Sequence, residues 1–199
     1  MVKLVNQTKF AATIKGKGLP LFTAGDIRVL FGLSQSAAVK LLHRYSRQNF
    51  ILRLKRGLYA LADSALPELF IAGKLYEPSY VSREFALSYH RVIPETVYEI
   101  TSVTPKATRR FEKLGKIYSY RKIKKSAFTG YTVERQKGLS FRIADAEKAF
   151  VDANYFRLLD KLKPLSRFDK EKINPAKALR CASLFGNQKL TSIIKTTLQ

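Results

Sequence analysis

The amino-acid sequence predicts an α+β fold in two domains, and three observations predict it. Over residues 19–61, two short helical patterns flank a glycine turn and lead into a hairpin pattern. Over residues 97–143, strand-forming residues alternate in several short runs. From Asp145 onward the spacing of apolar residues is helical again. The chain has 199 residues, enough to bury a sizeable core, and its 46% apolar and 26% charged residues are a globular composition.

Residues 13–18 (TIKGKG) read as a basic, glycine-containing break, and Leu19-Pro20 starts the next element. Thr23 suits an N-cap, because its hydroxyl accepts from the free amides of a first turn. Residues 24–31 then form a short helix with Ile27, Leu30 and Phe31 on one side. Gly32 suits the left-handed residue that ends it. Leu33 plugs the turn, and Ser34 caps a second helix over residues 35–47. Ala38, Leu41, Leu42 and Tyr45 fall at i, i+3, i+4 and i+7 and form its buried stripe. Residues 51–54 have strand character, Lys55-Arg56-Gly57 can turn, and residues 58–61 return. Two short helices, a glycine turn and a basic hairpin predict a winged helix-turn-helix over residues 1–62.

The charge points to a partner. Lys and Arg number 37 against 15 Asp and Glu, a formal net charge of +22. Such a field concentrates polyanions at the surface, so double-stranded DNA leads the candidate partners, ahead of an anionic membrane surface or an acidic protein. The exposed face of the second helix holds Ser36, Lys40, His43 and Arg47, flanked by Gln35, Val39 and Arg44. Small polar side chains at a helix N-terminus reach base edges in a major groove, while cations further along meet phosphates. The expected DNA contacts are therefore Ser34, Gln35, Ser36, Val39, Lys40, His43, Arg44 and Arg47. Arg53, Lys55 and Arg56 in the hairpin are expected on a phosphate or in the adjacent minor groove. The alternative is a winged fold used only for protein contacts, and a cationic rather than apolar face argues against it. His43 is assigned no chemistry.

Other classes are excluded by what is missing. No run of about 18 apolar residues exists to span a membrane. The start carries Lys3, Lys9, Lys15 and Lys17 without the uninterrupted apolar core of a signal peptide. One cysteine, Cys181, can form neither an internal disulfide nor a zinc knuckle. A cytoplasmic protein without metal or cofactor is expected.

Residues 63–66 read as a linker, and residues 67–199 as a mixed α+β domain with a small antiparallel sheet and a helical C-terminal tail. Residues 67–75 suit a short helix with Pro67 at its start. Tyr80-Val81 is an extended piece, and Ser82 caps a helix over residues 83–90. Strands are expected at 97–103, 108–111, 117–123, 128–133 and 139–143. Asp145 opens the helix AEKAFVDANYFRLL, whose Ala149, Phe150, Ala153 and Phe156 face a core. The tail from Asp169 reads as two helices, one before Gly186 and one after.

Residues 105–125 carry Lys106, Arg109, Arg110, Lys113, Lys116, Arg121, Lys122, Lys124 and Lys125 against Glu112 alone. One reading is a second phosphate-contacting surface, RNA-capable through stacking on Tyr118 and Tyr120. The other is a solvated basic sheet face with the tyrosines half in the core. Glu84, Asp145 and Glu147 with Lys148 are similar to a carboxylate–lysine nuclease site. Asp145 and Glu147 are better explained as first-turn acids favoured by the helix dipole. With two histidines, one cysteine and no glycine-rich phosphate loop, no catalytic residue is assigned and no enzyme is expected.

The stretch PSYVSREFALSYHRVIPETVYEITSVTPKATRRFEKLGKIYSYRKIK, followed by GLSFRIADAEKAFVD, resembles the AbiEi-type antitoxins of type IV toxin–antitoxin systems. FTAGDIRVLFGLSQSAAVKLLHRYSRQNFILRLKRGLYAL is similar to the N-terminal winged helix those proteins carry. The resemblance covers residues 19–155 and rests on SYVS, ALSYH, IPE, TSVT and IADAEKAF in combination; the segment after Pro164 falls outside it. It implies a transcriptional repressor that binds an inverted-repeat operator in its own promoter through the first domain. It also implies a second domain that supports antitoxin activity against a nucleotidyltransferase-like toxin encoded next door, without a stable complex, in abortive infection and phage defence. The alternatives are a solitary DNA-binding regulator, a nuclease acting through the second domain, and a module that neutralises an acidic toxin by direct contact.

Overall fold

The computed structural model describes residues 5–199 and divides into two compact units, Met1–Leu66 and Pro67–Gln199. Lys3, part of the predicted first domain, lies outside the described residues.

The first unit opens with a helix that its sequence did not announce. α1 (Gln7–Gly16) is capped by Asn6, whose side chain accepts from the Lys9 amide at 2.8 Å. Residues 13–16, expected to be part of a break, are its last turn. Its buried side chains are Phe10 and Ile14, an i, i+4 pair too sparse to stand out in a polar segment. Helices this short are marginal alone, so tertiary packing decides whether they form. Phe10 supplies that packing: its ring lies 5.5 Å from Phe22, 5.4 Å from Phe31 and 5.2 Å from Tyr45. Each such aromatic pair is worth about 0.5–1.5 kcal/mol beyond area burial.

The remaining elements follow local rules closely. α2 (Ala24–Phe31) starts in a capping box, with the Thr23 amide donating to Asp26 Oδ2 at 2.7 Å and the Asp26 amide to Thr23 Oγ1 at 3.3 Å. Gly32 ends it at φ 61°, where a side chain would be strained. α3 (Gln35–Arg47) begins at Ser34, whose hydroxyl accepts from the Ala37 amide at 3.2 Å, and buries Ala38, Leu41, Leu42 and Tyr45. The Tyr45 hydroxyl donates to the Val5 carbonyl at 2.5 Å, tying the start of the described chain to α3. The strands β1 (Ile51–Lys55) and β2 (Leu58–Leu61) form an antiparallel hairpin that turns at Arg56-Gly57. Phe22 extends that sheet by one bridge, exchanging both backbone hydrogen bonds with Tyr59 at 2.9 Å.

The second unit runs α4 (Glu68–Leu75), β3 (Tyr80–Val81), α5 (Arg83–Tyr89), β4 (Ile100–Thr104), β5 (Arg109–Lys113), β6 (Lys116–Lys122), β7 (Tyr131–Gln136), β8 (Leu139–Ala144), α6 (Ala146–Leu159), α7 (Pro175–Ser183) and α8 (Gln188–Leu198). The architecture is mixed α+β, but the sheet is neither small nor antiparallel throughout. Its six strands take the order β5-β6-β4-β3-β8-β7, and the pairs β4–β6 and β3–β8 are parallel. The reason lies in the connections. β5 and β6 are a hairpin that folds back to put β6, not β5, beside β4. Hairpin pairing is local, whereas the partner of a crossover is chosen by tertiary packing.

α4 covers one face of this sheet, where the Tyr120 hydroxyl donates to the Ala72 carbonyl at 2.6 Å. α5 lies on the other face, and its capping departs from expectation. Ser82 precedes the helix, but its hydroxyl donates to Asp152 Oδ2 at 2.7 Å rather than capping. The Phe85 amide in the first turn donates instead to Thr101 Oγ1 on β4, at 3.1 Å.

Candidate nucleic-acid interface

Exposed cations of the first unit stand on α3 and on the β1–β2 hairpin. Burial of Ala38, Leu41, Leu42 and Tyr45 turns Gln35, Ser36, Val39, Lys40, His43, Arg44 and Arg47 outward, and all seven are exposed. Ser34 is exposed too, with its hydroxyl 3.1 Å from that of Ser36 while it caps α3. On the hairpin, Ile51 and Leu54 go into the core, which leaves Arg53 and Arg56 exposed and Lys55 partly so. Gly57, at φ 79°, lets the turn close directly after Arg56.

Carboxylates are scarce in this unit. Its only acids are Asp26 and Asp63. Asp26 is held in the capping box of α2, and Asp63 pairs with Lys15 at 2.5 Å. The guanidinium and ammonium groups of Lys40, Arg44, Arg47, Arg53 and Arg56 therefore have no carboxylate partner among the described residues. Arg44 lies 5.3 Å over the Tyr45 ring, a contact that leaves its charge uncompensated. Groups so placed are compensated by diffuse counterions, which a polyanion releases on binding.

The basic run of the second unit is different. Arg121 makes a two-armed ion pair with Asp160, holding that carboxyl below its ordinary range. Lys124 donates to the Phe185 carbonyl at 2.7 Å, and Lys106 to the Glu77 carbonyl at 2.5 Å. Arg110 faces Glu99 at 3.9 Å, and Lys116 faces Glu68 at 3.1 Å. Arg109, Lys113, Lys122 and Lys125 are left without an ion pair among the described residues. Tyr118 and Tyr120 are fully buried, so they offer no platform for stacking bases. Burial pushes the Tyr118 phenol up to about 12 and that of Tyr120 higher still. The RNA-stacking expectation is corrected: these tyrosines are core, because alternation along β6 aims them at α4.

The carboxylates weighed as a nuclease site are also engaged. Glu84 pairs with its neighbour Arg83 at 3.2 Å. Asp145 caps α6 by accepting from the Lys148 amide at 2.8 Å, and Lys177 bridges Asp145 at 3.0 Å and Glu147 at 2.9 Å. Burial alone would raise the Glu147 carboxyl, but bonds from Lys177 and from backbone amides outweigh it and hold it below its ordinary value. Among the described residues, no group of three or more His, Cys, Asp or Glu is placed to hold a metal.

One constellation escaped sequence reading. Lys148 and Asp152, one turn apart on α6, are both fully buried and ion-paired. Asp152 also accepts from Ser82 Oγ at 2.7 Å and from the Tyr80 hydroxyl at 3.1 Å. The Lys148 ammonium lies 4.7 Å over the Phe185 ring. The motif pieces SYVS and IADAEKAF, followed by Val151 and Asp152, thus meet at a single buried network that joins β3 to α6. The signal available in sequence was a Lys and an Asp at i, i+4 inside an apolar helix.

Compared with known protein families and with curated proteins, the sequence has no match in either. Among the described residues, no helix is long and apolar enough to cross a membrane.

Proposed function

We propose that this chain is a DNA-binding transcriptional repressor whose first unit is a winged helix-turn-helix, with α3 as the groove-reading helix and the β1–β2 hairpin as the wing. The observation that carries the reading is the charge balance of that unit. Five exposed cations stand on α3 and the hairpin, while both acids of the unit are occupied elsewhere. Gln35, Ser36 and Val39 at the start of α3 are the base-reading side chains; Lys40, Arg44, Arg47, Arg53 and Arg56 hold phosphates. The resemblance to AbiEi-type antitoxins supports the further reading that the repressed operon is its own, that the operator is an inverted repeat, and that the chain counteracts a nucleotidyltransferase-like toxin without a lasting complex. A cytoplasmic, non-enzymatic protein accords with that role.

The test is binding to the DNA upstream of its own gene, measured by fluorescence anisotropy across a salt series. If each of the five cations neutralises one phosphate, log K falls against log salt with a slope of about −4.5 per protomer, or about 500-fold between 50 and 200 mM. Lys40→Ala with Arg47→Ala should weaken binding well over tenfold and reduce the slope by about 1.8. Binding that ignores salt, or that survives the double substitution unchanged, defeats the proposal.

A further inference from the structure

The second unit contains a cavity of about 210 Å³ between α4, the loop after that helix, and the β7–β8 hairpin. It opens to solvent along the exposed residues Glu77, Val133, Ser140 and Arg142 and has room for a compact ligand. Three features of its wall are unexplained by folding.

The first is Gly73, inside α4. A glycine in the last turn of a helix is a poorer helix former than alanine. Here φ is not positive, and a Cβ built at Gly73 would meet nothing within 4 Å. Neither backbone conformation nor packing therefore requires glycine, and what its absent side chain preserves is the open volume. The second is Ser79, 3% exposed, whose Oγ has no hydrogen-bond partner. A buried orphan hydroxyl is destabilising unless something fills its valence. The third is Arg142 on β8, an exposed residue at the rim that makes no ion pair among the described residues. Its guanidinium lies 5.7 Å over the Tyr131 ring, a contact that steadies it without neutralising it. The neighbouring Lys74 is paired with Glu77 at 2.9 Å, so the one acid on the wall is already balanced. The cavity thus has a surplus guanidinium and an unused hydroxyl donor, and Phe70 and Val133 add apolar wall.

We infer that this cavity binds a small organic acid, with its carboxylate on Arg142 and Ser79 and a short apolar body against Phe70, Val133 and the bare backbone of Gly73. A guanidinium with a hydroxyl matches a carboxylate, and the lining is mixed, with Phe70, Val133 and Phe141 beside Ser79, Ser140 and Arg142. Binding is a property of this unit and is read without DNA, so its failure leaves the repressor proposal standing, and the converse holds.

The experiment titrates the full chain with sodium butyrate, inorganic phosphate and butylamine in turn, following backbone amides by ¹H–¹⁵N correlation spectra. Butyrate should move the Gly73 and Ser79 amides saturably, with an affinity on the order of 1 mM, while butylamine should not. Arg142→Gln should weaken the butyrate response at least fivefold with the rest of the spectrum unchanged. Gly73→Leu, which fills the cavity with a good helix former, should abolish it. No saturable response to butyrate, an equal response to butylamine, a response to phosphate only, or a butyrate response that persists in both variants overturns the inference.

Discussion

Removing Lys148 should destabilise the second unit far more than removing a surface lysine would. In the wild-type chain, Lys148 and Asp152 are both fully buried, and Asp152 has two further donors in Ser82 and Tyr80. Lys148→Ala leaves the Asp152 carboxylate buried with hydroxyl donors only, and breaking a buried pair this way costs about 3–5 kcal/mol. For a urea slope of about 2 kcal/mol/M, the midpoint should fall by about 2 M. The chain has no tryptophan, and eight of its ten tyrosines lie beyond Leu66, so tyrosine fluorescence reports mainly on this unit. Lys148→Met combined with Asp152→Asn should recover at least half the loss, because the amide oxygen still accepts from Ser82 and Tyr80 and no charge remains buried. Burial already pushes the Asp152 carboxyl above its ordinary value, against the pull of Lys148, Ser82 and Tyr80. Without the lysine it must rise further. A raised folded-state carboxyl contributes stability that is fully present below the unfolded value of about 3.9 and is lost as pH climbs through the folded value. The deficit of Lys148→Ala should therefore be smallest near pH 4 and grow toward neutrality. A loss under 1 kcal/mol at pH 7, or a deficit that grows on acidification, refutes the reasoning.

Other perturbations test separate parts of the molecule. Gly130→Ala should cost more than 1 kcal/mol by urea melting, since φ there is 75° and a Cβ would lie 3.0 Å from Lys148 Cγ and 3.1 Å from its Cβ; a neutral or stabilising result would mean this loop is not packed on α6 as described. Tyr45→Phe removes the 2.5 Å bond to the Val5 carbonyl and leaves that acceptor unpaired, so it should cost about 1–3 kcal/mol and speed amide exchange around Val5 and Phe10. Unchanged exchange there would show that the bond does not anchor the start of the described residues. Tyr89 should titrate near 12 in a difference-absorbance experiment, held up chiefly by its 2.6 Å bond to Glu134, and Glu134→Gln should bring it back toward 10.

Much of the first unit is local information. Thr23, Gly32 and Ser34 mark helix ends by rules that act within one turn, and the spacing of Ala38, Leu41, Leu42 and Tyr45 alone decides which face of α3 looks outward. The cationic character of that face is a consequence, because the outward residues are simply those left over. α1 was not legible in this way. Two apolar residues in a polar, glycine-ended segment carry no periodic signal, and the helix exists because Phe10 completes a ring cluster contributed by Phe22, Phe31, Tyr45 and Phe50.

In the second unit the strands were visible from alternation, and α6 from its cap and length. Their partners were not, because β4–β6 and β3–β8 are joined by packing across crossovers rather than by turns. The same distinction governs the charges. Sequence alone placed a large positive excess on the chain and put nine cations within residues 105–125. Only the tertiary structure decided which of them are spent internally, since Asp160, Glu99, Glu68 and the Phe185 carbonyl reach them from distant parts of the chain. It also decided that Lys148 is core rather than surface: residues 147–154 of α6 are buried without a break, and a helix segment with no free face buries whatever charges its sequence holds.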